Sequence, residues 1–184
     1  FLFQTSIAQS VLTPIGQFSN EEIQLTKCSF DTEANAVILM HEAYSNYDDY
    51  YHLVTEHHVR IKILNEKGIK EGDIVIPFWR KDDFEDVTIT KASTFNFDNG
   101  IASEIPVSKK DIFTRKNNER IGTVSFAFPS VKAGSILDFQ YQSTMKHYGG
   151  LDKWEFQDRL PVVSSKYELL IVPNTEFTYV LHKT

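Results

Sequence analysis

The sequence predicts an all-β chain, an antiparallel β-sandwich with at most one or two short helices. Three observations carry this. Apolar residues recur at alternate positions along most of the chain, an Asn-Gly pair lies between two such runs, and no segment sustains an apolar stripe at helical spacing. A closed barrel is the alternative arrangement of the same strands. With 184 residues, 41% of them hydrophobic and 13% aromatic, the chain has the material for one sizeable core.

In chain order, residues 1–10 read as the remnant of a signal peptide: an apolar start followed by Ser6, Ala8 and Ser10 at alternate positions. Residues 11–22 form a lead-in, and residues 23–184 a single β-sandwich domain. The first strand is predicted over 36–40. In the second, over 53–63, Leu53, Thr55, His57, Val59, Ile61 and Ile63 face one way. Glu56, His58, Arg60 and Lys62 face the other, the pattern of a half-buried strand. Over 87–97, Val87, Ile89, Phe95 and Phe97 share one face, opposite Thr88, Thr90, Thr94 and Asn96.

Asn99-Gly100 then predicts a tight turn, because both residues tolerate positive φ, and a hairpin over 95–107. Further strands are expected over 123–128, 136–142, 166–172 and 177–181, with a turn at Lys132-Ala133-Gly134 between two of them. Ser108 to Asp111 has capping-box spacing, but no apolar stripe follows, so one short helix or turn is expected there.

The 25 acidic against 19 basic residues, a net charge of −6, and the lack of a basic stripe weigh against nucleic acid as a partner. No apolar run of about 18 residues predicts a transmembrane helix. The single cysteine, Cys28, excludes an intrachain disulfide. It has no glycine-rich elbow or helix start beside it to activate a thiol, so it reads as a small apolar filler, with a hydrolase nucleophile as the remote alternative.

The adjacent His57 and His58 point to opposite faces of a strand and so are not joint ligands of one metal. His57 reads as a semi-buried strand residue. A metal site drawn from His41, His52 or His147 has no ligand spacing to support it. The acidic clusters Asp48-Asp49 and Asp82-Asp83-Phe84-Glu85-Asp86 lack the alternation and central glycine of a calcium loop and read as solvated turns. Tyr47, Tyr50, Tyr51, Trp79, Tyr148 and Trp154 serve as core or turn anchors, or as a stacking platform for a sugar or partner protein. No catalytic, cofactor-binding or metal-binding residue is assigned, and no cofactor is expected.

Five stretches resemble the uncharacterised domain that precedes transglutaminase-like, cysteine-protease-type domains in exported bacterial proteins. They are residues 31–39 (DTEANAVIL), 55–67 (TEHHVRIKILNEK), 89–100 (ITKASTFNFDNG), 126–141 (FAFPSVKAGSILDFQY) and 154–173 (WEFQDRLPVVSSKYELLIVP), the last two being the most specific. The resemblance spans roughly residues 23–173. It implies a β-sandwich and supplies no catalytic set, since the family's cysteine-histidine-acid machinery lies in the following domain.

The sequence starts inside an apparent signal peptide and ends directly after a strand pattern, so a longer parent protein is expected. The expected role is a non-enzymatic accessory or interaction domain, exported to the periplasm or cell envelope. Its partner would be a downstream transglutaminase-like domain or a protein or peptide substrate. A glycan-binding module using Trp79 or Tyr148 is the alternative from another class. The sequence leaves the identity of the binding residues and the oligomeric state open.

Overall fold

Alternating apolar residues place the strands, and two stacked sheets result. The computed structural model describes residues 12–98, 101–146 and 153–171. Their order is α1 (Asn20–Gln24), β1 (Ala36–Tyr47), β2 (Leu53–Ile63), β3 (Asp73–Trp79), β4 (Glu85–Asp98), β5 (Ile101–Pro106), β6 (Phe113–Lys116), β7 (Ile121–Ala127), β8 (Ile136–Met145) and β9 (Ser165–Leu169). Short 3-10 segments occupy Glu66–Gly72, Lys81–Asp83 and Lys109–Asp111.

The larger sheet runs β5-β4-β8-β2-β1-β9 and the smaller β3-β7-β6. Their facing sides share one core. Ile38, Val59, Ile61, Ile63, Leu137 and Phe139 of the large sheet pack with Phe126, Ile74 and Ile76 of the small one. Phe126, Phe128 and Phe139 meet edge to face within 5.4–5.8 Å. The pairings are antiparallel except that β9 lies parallel to β1, from His41↔Ser165 to Ser45↔Leu169, which corrects a purely antiparallel sandwich.

The other face of the large sheet is also covered. Residues 12–30 lie across it, with Ile15, Phe18 and Leu25 packing on a cluster of Cys28, Val37, Leu39, Phe95 and Ile136. From His58 onward the polar side of β2 therefore faces this cover rather than solvent: His58, Arg60 and Lys62 are all at most 2% exposed, while Glu56 is exposed. This corrects the half-buried reading of β2 over residues 58–62.

Burial is tolerable there because each charge is met. Asp138 on β8 sits 2.6 Å from the His58 ring, pairs with Arg60 at 3.2 Å and accepts the Gly16 N–H at 2.9 Å. Arg60 also pairs with Glu22 at 2.8 Å and lies over the Phe18 ring at 4.6 Å. Lys62 donates to the Ile23 and Gly134 carbonyls, both at 2.8 Å. Glu22 meanwhile closes a reciprocal cap with Ser19, the N-cap of α1. A capping box thus does form in this chain, at Ser19 rather than at Ser108, whose side chain makes no cap hydrogen bond.

Bulges reset two strands. In β4 the register slips between Ile89 and Lys91, so Ile89 and Ala92 face the shared core while Phe95 and Phe97 turn to the covered face. The single shared face expected over 87–97 is corrected accordingly. In β1 a slip between Ile38 and Met40 lets Ile38 and His41 serve the same face although they are three residues apart. The hairpin of β4 and β5 pairs from Ser93↔Pro106 to Asp98↔Ile101. Its turn residues Asn99 and Gly100 lie outside the described residues, as do residues 1–10 and the strand expected over 177–181. The Lys132 to Ser135 turn forms as expected, with Gly134 at φ +88° and a 3.0 Å bond from Ser135 N–H to the Lys132 carbonyl.

Candidate functional site

The small sheet is shorter than the large one, and beyond it the large sheet's inner face opens into a cleft of about 440 Å³. Each floor residue arrives by strand alternation: His41 from β1, Thr55 and His57 from β2, Tyr141 and Ser143 from β8, Val87 from β4 and Tyr167 from β9. Ile76 and Pro77 of β3 form one wall, and residues 153–158, led by Trp154, form the other. The β1 bulge is decisive here, because unbroken alternation from Ile38 would send His41 to the opposite face.

The rings are stacked in order. His57 lies flat on Tyr141, with centroids 4.3 Å apart and planes 3° apart. Trp154 packs on His41 at 4.3 Å, faces His57 at 6.3 Å and backs onto Tyr167 at 5.1 Å. Trp154 is fixed by its indole N–H, which donates to Ser165 Oγ at 3.1 Å. Tyr167 donates its hydroxyl to Ser45 Oγ at 2.9 Å, and Ser45 shares a 2.7 Å bond with Thr55.

Burial pushes the His41 imidazole down to about 4 against a partial opposing pull from Asp158, and it pushes His57 down to about 3 with help from His41. Both rings are therefore neutral at pH 7. His41 Nε2 and His57 Nδ1 are buried without a hydrogen-bond partner. Two polar atoms left unmet in one cleft mark it as a place where a ligand gains from binding.

The remaining sequence candidates disperse. His58 leaves by the opposite face of β2, as alternation requires, to meet Asp138. His52 bonds Asp48 at 3.0 Å within an exposed turn whose Asp48 carboxylate also accepts the Tyr50 and His52 N–H groups. Asp82 and Asp83 hold left-handed backbone at φ 58° and 49° in a turn, and Glu85 accepts the Trp79 N–H. Among the described residues no group of three or more His, Cys, Asp or Glu side chains is arranged to hold a metal ion. His147 and Tyr148 lie outside the described residues. Cys28 is a buried free thiol among apolar side chains on the covered face.

A second surface stands out on the outer side of the small sheet. Val75, Trp79 and Phe113 are 61%, 40% and 50% exposed, and Phe113 and Val75 flank Ser125 in one row while Trp79 sits beside Ile121 in another. Sequence reasoning named Trp79 but missed Val75 and Phe113. The signal was present as the alternation Asp73, Val75, Pro77, Trp79, obscured by a proline inside the strand. Proline is admissible here because β3 is an edge strand. The histidine pair was missed for another reason, since only the bulge brings His41 beside His57.

Comparison with known proteins fits the fold. A family model, Domain of Unknown Function with solved-structure structure (DUF3857), matches residues 50–184. No curated protein matches. Among solved structures, the crystal structure of a "putative protease" from Parabacteroides distasonis superposes with a TM-score of 0.51 at 8% identity. The match covers 61% of this chain and 23% of that one, so the shared fold spans about a quarter of the longer protein.

Proposed function

The chain belongs to the family DUF3857, a domain of unknown function, and from that premise we propose that it is a non-catalytic accessory domain. In this reading it belongs to an exported bacterial protein and docks against a neighbouring catalytic domain of the transglutaminase-like, cysteine-protease type, or holds that domain's protein substrate. The observation that carries the reading is the exposure of Val75, Phe113 and Trp79 on the outer face of the small sheet.

Several exposed apolar side chains of this size on one face of a three-stranded sheet mark a candidate contact surface. Aromatic residues supply a large share of docking energy at protein interfaces. Among the described strands β3 and β6 are the edges of the small sheet, and an edge strand is the usual place for an incoming strand to add. Supporting the context, the fold occupies only part of the longer Parabacteroides distasonis protein. The burial of Cys28, 2% exposed within the covering segment, weighs against a hydrolase that uses this thiol. In the export reading, Ser6, Ala8 and Ser10 after the apolar start form the cleavage region, and the periplasm or cell envelope is the destination.

The test begins with the gene beyond the codon for Thr184. The longer product and residues 1–184 are expressed side by side and assayed for peptidase and amide-transfer activity. A downstream Cys-His-acid domain, activity confined to the longer product, and loss of that activity in a Trp79→Ser/Phe113→Ser variant are expected. A stop codon at that point, or activity in residues 1–184 alone, overturns the reading.

A further inference from the structure

The cleft at the open end of the sandwich is separate from the docking face and carries an inference independent of it. We propose that this cleft is a binding site for a primary ammonium group on an unbranched alkyl chain, the chemistry of a lysine side chain within a peptide.

The walls present ring faces. Trp154 and His57 stand 6.3 Å apart at 22°, with Tyr141 stacked behind His57 and Tyr167 behind Trp154. The face of an aromatic ring carries negative quadrupole density, so a cation above it is attracted, and more strongly where water is excluded. The charged groups at the cleft act in the same direction. Asp158 and Glu85 line it, and their fields reach inward, to His41 and Tyr141 respectively. Lys153 is the one cation among the described lining residues, and it is paired with Glu155. An anion would meet carboxylates and ring faces and is disfavoured.

The two imidazoles choose among cations. Both are neutral at pH 7, and His41 Nε2 and His57 Nδ1 are buried with nothing bonded to them; in the tautomers that leave the lone pair on these two atoms, each ring offers one acceptor. A primary ammonium brings three N–H donors and satisfies such acceptors. A quaternary ammonium brings none and leaves them orphaned, and a plain alkyl chain fails on both charge and hydrogen bonding. Leu53, Val87 and Met145 supply the apolar floor along which the methylenes lie. A cleft of about 440 Å³ is large enough for the side chain together with the backbone that bears it.

The test uses the full chain with Trp79→Phe, which leaves Trp154 as the only tryptophan. Nα-acetyl-lysine N-methylamide is titrated at pH 7.5 and read by Trp154 fluorescence and by calorimetry. Its norleucine, Nε-trimethyllysine and Nε-acetyl-lysine counterparts, and cellobiose, serve as comparators. Saturable binding of the lysine compound is expected, with each comparator weaker by about tenfold or more. Asp158→Asn, an exposed residue whose change leaves the fold intact, is expected to weaken binding several-fold, and added salt to weaken it further in the parent but less in the variant. Equal binding of the norleucine compound overturns the proposal. So does preferential binding of cellobiose, absence of saturation by the lysine compound, or undiminished affinity in Asp158→Asn.

Discussion

Acidification from pH 8 to pH 5 should weaken this fold through two residues, His41 and His57. Their imidazoles are held at about 4 and about 3 in the folded protein, against 6.5 when solvated. Between those values the unfolded chain binds protons that the native state refuses, so stability falls as pH falls through 6.5. At pH 5 each residue lowers the unfolding free energy by about 2 kcal/mol relative to pH 8, about 4 kcal/mol together.

Carboxylates do not confuse this window. Asp138, Glu71 and Asp48 are held below their ordinary values, so their contribution is present above those values and is lost only as pH drops further. Urea denaturation followed by far-UV circular dichroism should show the midpoint moving down by about 2 M between pH 8 and pH 5. His57→Phe keeps a ring on Tyr141 and removes one of the two proton sites, so the loss should halve to about 2 kcal/mol. Equal stability at the two pH values would refute the reasoning. So would imidazole resonances of both histidines titrating near 6.5 in the folded protein, since burial would then not be excluding the proton.

Two further outcomes concern the covered side of the large sheet. Asp138→Ala strands Arg60 and His58 without their shared carboxylate, and should cost about 3–5 kcal/mol in urea unfolding at pH 7; a loss under about 1 kcal/mol would mean the cluster is not desolvated. Gly68→Ala would place its Cβ 2.1 Å from the Asn35 carbonyl oxygen, which also accepts the Leu64 N–H at 2.9 Å. A drop of about 2 kcal/mol or more by thermal unfolding is expected, and an unchanged midpoint would show that the backbone there yields freely.

Much of the sandwich was legible because strand alternation is a local property. The inner face of β2, the β4–β5 hairpin, the turn before β8 and the opposite aims of His57 and His58 all follow from residue spacing. What was not legible depends on events that spacing does not encode. A bulge changes the parity of everything after it, so Phe95 and Phe97 left the face shared by Val87 and Ile89, and His41 joined His57. The polar side of β2 reads as solvated in isolation. Only the partners Glu22, Asp138 and the carbonyls of Ile23 and Gly134, most of them far away in sequence, make its burial possible. The aromatic cleft was half visible, in Trp154 and His57, but its assembly needs the parallel docking of β9, which brings Tyr167 beside Ala43 and against Trp154.

The placement of β1 bears on where the protein can be cut. The family match begins at residue 50, after β1, yet β1 lies between β2 and β9 and is the strand on which β9 is laddered. A product starting at residue 50 would retain all of the matched sequence while stripping β9 of its hydrogen-bonding neighbour, Tyr167 of the Ser45 hydroxyl, and Arg60 of Glu22 and Phe18. The stretch that is recognisable as a family and the stretch joined by the strands of the large sheet therefore have different first residues. Folding is also obliged to join the chain's early and late portions, a long-range closure of the kind that slows all-β proteins.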